Sequence, residues 1–161
     1  MNDDRYDLLM NPAIGSIAIS YFIRGYSLKQ KGKTPLILAF LVLPIVLQKR
    51  FRAALNCSSN YKTFLSKINA DEKTRFLLLS KHIKSMRSFT MKSILVASAI
   101  GLLHIDSKKG LLGTGDEACF PSDDVLNPFT REIADSSMRL GSFIFSMGDV
   151  ATVFRRFNLE A

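Results

Sequence analysis

The sequence predicts a mainly α-helical domain with one small β-hairpin. Three observations lead to this fold class. Apolar residues recur at every third or fourth position through most of the chain. Two Asn-Pro pairs, Asn11-Pro12 and Asn127-Pro128, combine a capping residue with the proline that favours a first helical position. One hairpin pattern occurs, at residues 103–112. The 161 residues suit a single domain, 1–161, with its core at about 11–157.

The first predicted helix begins at Asn11-Pro12 and ends near residues 30–32. Its apolar positions have the spacing of an amphipathic helix and include Ile14, Ile17, Ala18, Tyr21 and Phe22.

The next stretch, residues 35–47, is almost purely apolar and lies between clusters of basic residues. It is shorter than the roughly 20 residues that span a membrane, and it lacks the polar face of an interfacial helix. We therefore predict no membrane association here. The stretch is expected to form a buried core helix that bends or ends at Pro44.

The middle of the chain predicts a winged helix-turn-helix-like centre. Residues 49–55 are expected to form a short basic helix or an extended link. Three helices and a hairpin follow, at about 58–68, 71–86, 89–102 and 103–114. Ser58 or Ser59 would cap the first of these helices. Three helices followed by a hairpin with a basic turn is the order of elements in a winged helix-turn-helix.

The C-terminal part predicts two helices that pack on this centre together with the N-terminal ones. A long helix is expected from Asn127-Pro128 to about Met147. A shorter helix follows through Phe157, and Gly148-Asp149 would cap it.

The charge of the chain favours an anionic partner. Lys and Arg number 22 against 14 Asp and Glu, which gives a net charge of +8. Such a balance favours nucleic acid or an acidic protein surface, with general solubility as the alternative. The two cysteines, Cys57 and Cys119, do not make a disulfide framework, and residues 1–4 are unlike a signal peptide. A reducing cytoplasm is therefore the predicted location.

The sequence contains no strong catalytic or cofactor motif. Gly32-Lys33-Thr34 resembles the end of a P-loop, but Ser27 stands where that motif requires Gly, and no strand precedes it. The paired acidic residues near helix starts are better explained by capping. We predict no enzymatic activity and no cofactor.

The histidines and cysteines share no zinc-ligand spacing, so no metal is predicted. We expect His82 to be solvated or phosphate-facing and His104 to be half-exposed. Cys57 is interpreted as a loop thiol, with a Cys-His nucleophile pair as the open alternative.

Basic residues supply the candidate nucleic-acid surface. At about 100° per residue, four of them fall within an arc of about 140° opposite the apolar stripe of their helices. The candidate phosphate contacts are Lys62, Lys67, Lys81, Lys84, Arg87, Lys92, Lys108 and Lys109. The would-be recognition helix offers only Lys92, Ser93 and Ser98 as polar side chains, so sequence-specific reading of DNA is not expected. A solvated face is the alternative.

The C-terminal helices carry more apolar residues than a chain of this size is expected to bury. The surplus would form a protein interface. Its candidate residues are Phe143, Phe154, Arg155, Arg156 and Phe157. If the Phe154 or Phe157 ring belongs to the core instead, its removal would unfold the chain.

Several short strings resemble one bacterial family when they are taken in order. They are Asn-Pro-Ala-Ile-Gly at 11–15, Arg-Gly-Tyr at 24–26, the apolar run at 40–47, Arg-Ala-Ala-Leu at 52–55, Phe-Thr at 89–90, Gly-Leu-Leu-His-Ile-Asp at 101–106 and the segment 148–154. The chain thereby resembles the middle component of three-component ABC systems, the class that includes Lamassu-type anti-phage defence. Members often carry His at the position of Gln48 and Pro at that of Ser88.

The resemblance implies a non-catalytic accessory subunit. Such a middle protein would be encoded with an ABC ATPase of the SMC or Rad50 type and an effector, often a nuclease, and would bridge the two near the ATPase heads. Contact with double-stranded DNA would lack sequence specificity. The alternative function is a stand-alone winged-helix transcription regulator. The basic charge suits both functions, but the poor base-reading helix favours the accessory subunit.

Overall fold

The computed structural model of the chain describes residues 10–28, 33–69 and 72–159. Its α-helices are α1 (Pro12–Ser27), α2 (Val42–Val46), α3 (Lys49–Asn56), α4 (Tyr61–Asn69), α5 (Glu72–Ser85), α6 (Arg87–Ala99), α7 (Pro128–Met147) and α8 (Val150–Arg156). Short 3-10 helices are formed by Leu36–Leu41 and Glu117–Cys119. A three-stranded antiparallel sheet has the order β1 (Thr34–Pro35), β3 (Leu111–Thr114), β2 (Leu103–Asp106). The predicted mainly helical class with a hairpin is confirmed.

Helix α1 is buried on most of its surface, between α6 and α7. It begins as predicted, because the Asn11 side chain accepts a hydrogen bond from the Ala13 N–H. Its close contact with α7 depends on glycine: a Cβ on Gly141 would lie 2.1 Å from the Phe22 carbonyl oxygen. The helix ends at Ser27, earlier than the predicted end near 30–32. Residues 30–32 themselves lie outside the described residues.

The apolar stretch 35–47 lies in the core, as predicted, but it is not one α-helix. Its first part is wound as the 3-10 helix Leu36–Leu41, and α2 then begins at Val42. Proline has no N–H and clashes with the carbonyl of residue i−4 in a helix interior. Because α2 begins at Val42, Pro44 lies in its first turn, where no intrahelical N–H bond is required. The proline is therefore accommodated in the first turn of α2 and does not end the helix.

The hairpin forms as predicted, and a third strand joins it. In the hairpin, Leu103 pairs with Thr114 and Asp106 with Leu111. The two-residue strand β1 adds to the other edge of β3. A two-residue Thr-Pro strand is too short to show any alternation in the sequence, so it was not predicted.

Helices α4, α5 and α6 precede the hairpin in the predicted order. The winged-helix assignment stays a prediction, because element order alone does not establish it. The cap of α4 was predicted wrongly: Asn60 accepts from the Thr63 N–H, while the Ser58 hydroxyl donates to the Ala54 carbonyl at the end of α3. The break between α5 and α6 falls at Met86, so α6 begins two residues before the predicted start at residue 89.

The C-terminal helices match the prediction closely. The Asn127 side chain caps α7 by accepting from the Thr130 N–H. The chain then turns at Gly148, whose φ of 114° favours glycine. Asp149 caps α8 by accepting from the Thr152 N–H at 2.8 Å. In the described part of the chain, no helix is both long and apolar enough to cross a membrane.

Candidate protein-contact surface

Helix α6 has apolar side chains on two opposite faces, only one of which is buried. The buried face contacts α1, the 3-10 helix at Leu36–Leu41 and β2. It consists of Phe89, Thr90, Ser93, Ile94 and Ala97. A Cβ on Gly15 of α1 would lie 2.1 Å from the Ser93 hydroxyl oxygen, so α6 lies directly against α1. This contact fixes which face of α6 points outward.

The outward face of α6 has an apolar centre and cationic edges. Counting about 100° per residue from Arg87, Met91 and Leu95 fall at about 40° and 80°. Arg87, at 0°, forms one edge of this face, and Lys92, at about 140°, forms the other. Leu95 is 57% exposed and Met91 is 39% exposed, and Ile100 at the end of the helix is 54% exposed. We call Met91 and Leu95 with the flanking Arg87 and Lys92 the outer α6 surface.

The predicted phosphate-contact residues are all exposed. Lys81, Lys84, Arg87 and Lys92 lie on α5 and α6, on either side of the break at Met86, and Lys108 and Lys109 lie in the hairpin turn. Lys67 is partly committed elsewhere, since its Nζ donates to the Cys57 carbonyl at 2.6 Å and closes the α3–α4 connection. Exposure is compatible with phosphate contact and with a solvated face, so this use of the residues stays a prediction.

The candidate interface residues at the C-terminus separate into core and surface. Phe157 has no exposed surface, and Phe143 is 8% exposed and lies in the core cluster. Their predicted use as contacts therefore needs correction, because in this fold their rings pack inside the domain. Phe154 is half-buried against the same cluster. Arg155 and Arg156 are exposed, and the Arg156 guanidinium lies 5.2 Å from the centre of the Tyr61 ring.

Two of the residues that resembled a P-loop, Lys33 and Thr34, have structural roles, and Gly32 lies outside the described residues. Lys33 Nζ lies 3.1 Å from Asp106 Oδ2, and this hydrogen bond holds the pKa of the Asp106 carboxyl below its ordinary value. Thr34 is fully buried in β1. The pair of Lys33 and Asp106 links the start of β1 to the end of β2.

The histidines and cysteines occupy different environments in the structure. The prediction for His82 was wrong: it is half-buried, and its Nδ1 lies 2.8 Å from Nε2 of Gln48. His104 is exposed on β2, and both cysteines are exposed. Within the described residues, no group of three His, Cys, Asp or Glu side chains is placed to hold a metal ion.

The outer α6 surface was not among the predicted interface residues, although the sequence contained a sign of it. Phe89, Ile94 and Ala97 already form a complete apolar stripe on that helix. Met91 and Leu95 are therefore in excess of what one buried face requires. Which apolar face of α6 is buried depends on where α1 packs. The periodicity of α6 does not reveal that position.

These features define a small, basic, mainly helical domain with an exposed apolar helix face. The family model for the ABC-three component (ABC-3C) system Middle Component 3 matches residues 2–160, and the chain belongs to this family. It is therefore an accessory subunit that works with the other components of an ABC system. Comparison with curated proteins and with solved structures found no match.

Proposed function

We propose that the chain is a non-catalytic middle subunit of a Lamassu-type anti-phage complex. In this role it bridges an ABC ATPase of the SMC or Rad50 type and an effector such as a nuclease, in the cytoplasm. The observation that carries the proposal is the outer α6 surface. A domain that works with other components needs a surface to meet them, and an exposed apolar helix face is typical of such surfaces.

The energetics favour protein contact at this surface. Each fully buried Leu or Met side chain gains roughly 1.5–3 kcal/mol over its exposed state. Leu95 is 57% exposed and Met91 is 39% exposed, so part of that free energy is available to a partner. The rest of α6 packs tightly against α1. The surface is therefore presented on a rigid element, which lowers the entropic cost of binding.

The non-catalytic character is supported by the structural contacts of Lys33 and His82, two residues of types that often act in catalysis. Lys33 pairs with Asp106, and His82 pairs with Gln48. Both contacts connect elements of the fold. ATP hydrolysis would belong to the ABC component, and nucleic-acid cleavage to the effector.

Nonspecific contact with duplex DNA is a second proposed property, supported by the exposure of the predicted cations. A stand-alone transcription regulator would need base-reading side chains on α6. The outward face of that helix instead presents Met91 and Leu95 at its centre. An apolar face of this kind suits a protein partner better than base edges.

Co-purification tests the proposal. The tagged chain is co-expressed with the ABC ATPase and the effector of its system, captured, and washed in the presence of nuclease so that DNA does not link the proteins. We expect both partners in the eluate. A monodisperse chain that captures neither would refute the accessory-subunit function. A footprint on one DNA sequence that survives excess competitor would favour the regulator instead.

A further inference from the structure

We infer that the outer α6 surface binds an acidic amphipathic helix of another component of the system. The inference rests on the proposed function and specifies the partner's chemistry at this surface. Its basis is the arrangement of charge around Met91 and Leu95, together with the absence of acidic residues from this part of the sequence. Residues 73–105 contain six Lys or Arg and no Asp or Glu.

The cations at the edges of the surface are available to a partner. Arg87 and Lys92 are exposed and lie on opposite sides of Met91 and Leu95. Within the part of the chain that the structure describes, neither of their side chains has an ion-pair partner. A partner that carries carboxylates on both sides of an apolar stripe would match this pattern.

The geometry of the apolar centre specifies a helix rather than a phosphate backbone. Met91, Leu95 and Ala99 are spaced by four residues and form one apolar ridge along α6. Such a ridge packs into the groove of a second helix, and this packing buries the apolar residues of α6. The residues that flank the groove of the second helix then lie beside the cations of α6. A nucleic acid bound here would place charged phosphates over Met91 and Leu95 without burying their apolar surface.

The test measures affinity between the full-length chain and each of the other two components, by biolayer interferometry at several salt concentrations. Leu95→Asp is expected to weaken binding to one component at least tenfold. Lys92→Glu is expected to weaken it several-fold and to reduce its salt dependence, because an edge charge contributes mainly through electrostatic attraction.

Two matched controls separate the surface from general effects. Val125→Asp places the same charge at an apolar residue that is 74% exposed outside the surface, and Lys49→Glu reverses an exposed lysine on α3. Both controls are expected to bind within twofold of the wild type. Thermal unfolding by circular dichroism verifies that Leu95→Asp is folded, and Leu95→Ser replaces it if it is not.

The outcomes distinguish this inference from the proposed function. If the wild type binds a component and Leu95→Asp binds equally well, the inference is wrong while the accessory function stands. If the wild type binds neither component, both fail. Self-association that Leu95→Asp abolishes would assign the surface to a second copy of the chain and overturn the inference. Duplex-DNA binding weakened by both surface variants, with component binding unchanged, would also overturn it.

Discussion

Gly25 in α1 and Met138 in α7 make direct backbone contact: a Cβ atom at position 25 would lie 2.0 Å from the Met138 carbonyl oxygen. Gly25→Ala is therefore expected to destabilise the domain. Alanine gains up to about 1 kcal/mol in helix propensity over glycine. Pushing two backbones apart costs more than that, and overpacking typically costs about 1–3 kcal/mol. We expect a net loss of about 2 kcal/mol in the free energy of unfolding, measured by urea denaturation.

Gly113→Ala is the control for this prediction. At position 113 the nearest atom to an added Cβ would be 4.0 Å away, on His104, so nothing has to move. We expect its stability to stay within about 0.5 kcal/mol of the wild type. A Gly25→Ala variant as stable as Gly113→Ala would show that α1 and α7 are not packed as described.

Arg52 is predicted to contribute more to stability than its partner Glu132. The arginine side chain is 8% exposed; its Nε donates to Glu132 Oε1 at 2.8 Å, and one of its other nitrogens donates to the Val46 carbonyl. Arg52→Ala leaves that buried carbonyl unpaired and is expected to cost about 2–4 kcal/mol. The Glu132 side chain is 49% exposed. Glu132→Gln is therefore expected to cost at most about 1 kcal/mol.

Equilibrium unfolding of the two single variants measures this difference. Equal losses in the free energy of unfolding for Arg52→Ala and Glu132→Gln would contradict the prediction. They would mean that the ion pair contributes more to stability than the hydrogen bond to the Val46 carbonyl.

Phe157 is predicted to contribute much more to the stability of the domain than its neighbour Arg156. The Phe157 ring has no exposed surface, so Phe157→Ala is expected to lose about 3–5 kcal/mol. Arg156→Glu removes an exposed cation–π contact with Tyr61 and is expected to cost about 1 kcal/mol or less. Thermal denaturation compares the two. A Phe157→Ala variant that melts with the wild type would return Phe157 to the candidate interface.

Acid is predicted to weaken the cap of α8. Hydrogen bonds from the Thr152 hydroxyl and the Thr152 N–H hold the pKa of Asp149 below its ordinary value. A lowered folded pKa means that the carboxylate stabilises the fold above the unfolded pKa of about 3.9, and that this contribution is lost as pH falls through the folded value. Asp149→Asn keeps a capping side chain without a titrating group.

The unfolding free energies of wild type and Asp149→Asn are therefore expected to differ by a constant amount above about pH 5. Below about pH 4 the advantage of the wild type is expected to shrink. A difference that stays flat down to about pH 2, or that grows on acidification, would contradict the role of the carboxylate.

Any duplex DNA that the chain retains is predicted to be held through phosphates. Each neutralised phosphate contributes about 0.9 to the slope of log affinity against log salt. Charge reversal at Lys81, Lys84, Lys108 and Lys109, all exposed, is therefore expected to lower that slope in fluorescence-anisotropy titrations. Unchanged slopes in the variants would show that these lysines form a solvated face.

The helices and their caps were predictable where local chemistry decides them. Asn11, Asn127 and Asp149 each cap the predicted helix, since a capping side chain acts on backbone within three residues. The form of residues 36–46 was not predictable in the same way. The buried character follows from composition, whereas the change from 3-10 to α winding depends on how the stretch packs around Pro44.

The candidate surface was less predictable, because burial is decided by distant packing. Phe143 and Phe157 look like interface residues in the sequence and are core residues in the structure. Leu95 shows the reverse: it lies in a helix that is apolar on both sides, and it is exposed because α1 and the other elements pack on the opposite face. A single sequence records the supply of apolar side chains but not which of them α1 and α7 cover.

The central claim is that the chain bridges two partners, and light scattering on a three-protein mixture tests it most directly. The purified ATPase and effector are mixed with and without the 18.0 kDa chain and separated by size-exclusion chromatography. The account predicts separate ATPase and effector peaks without the chain, and one peak with the mass of all three when it is added. An ATPase–effector complex that forms without the chain, or a chain that elutes alone at its own mass, would contradict it.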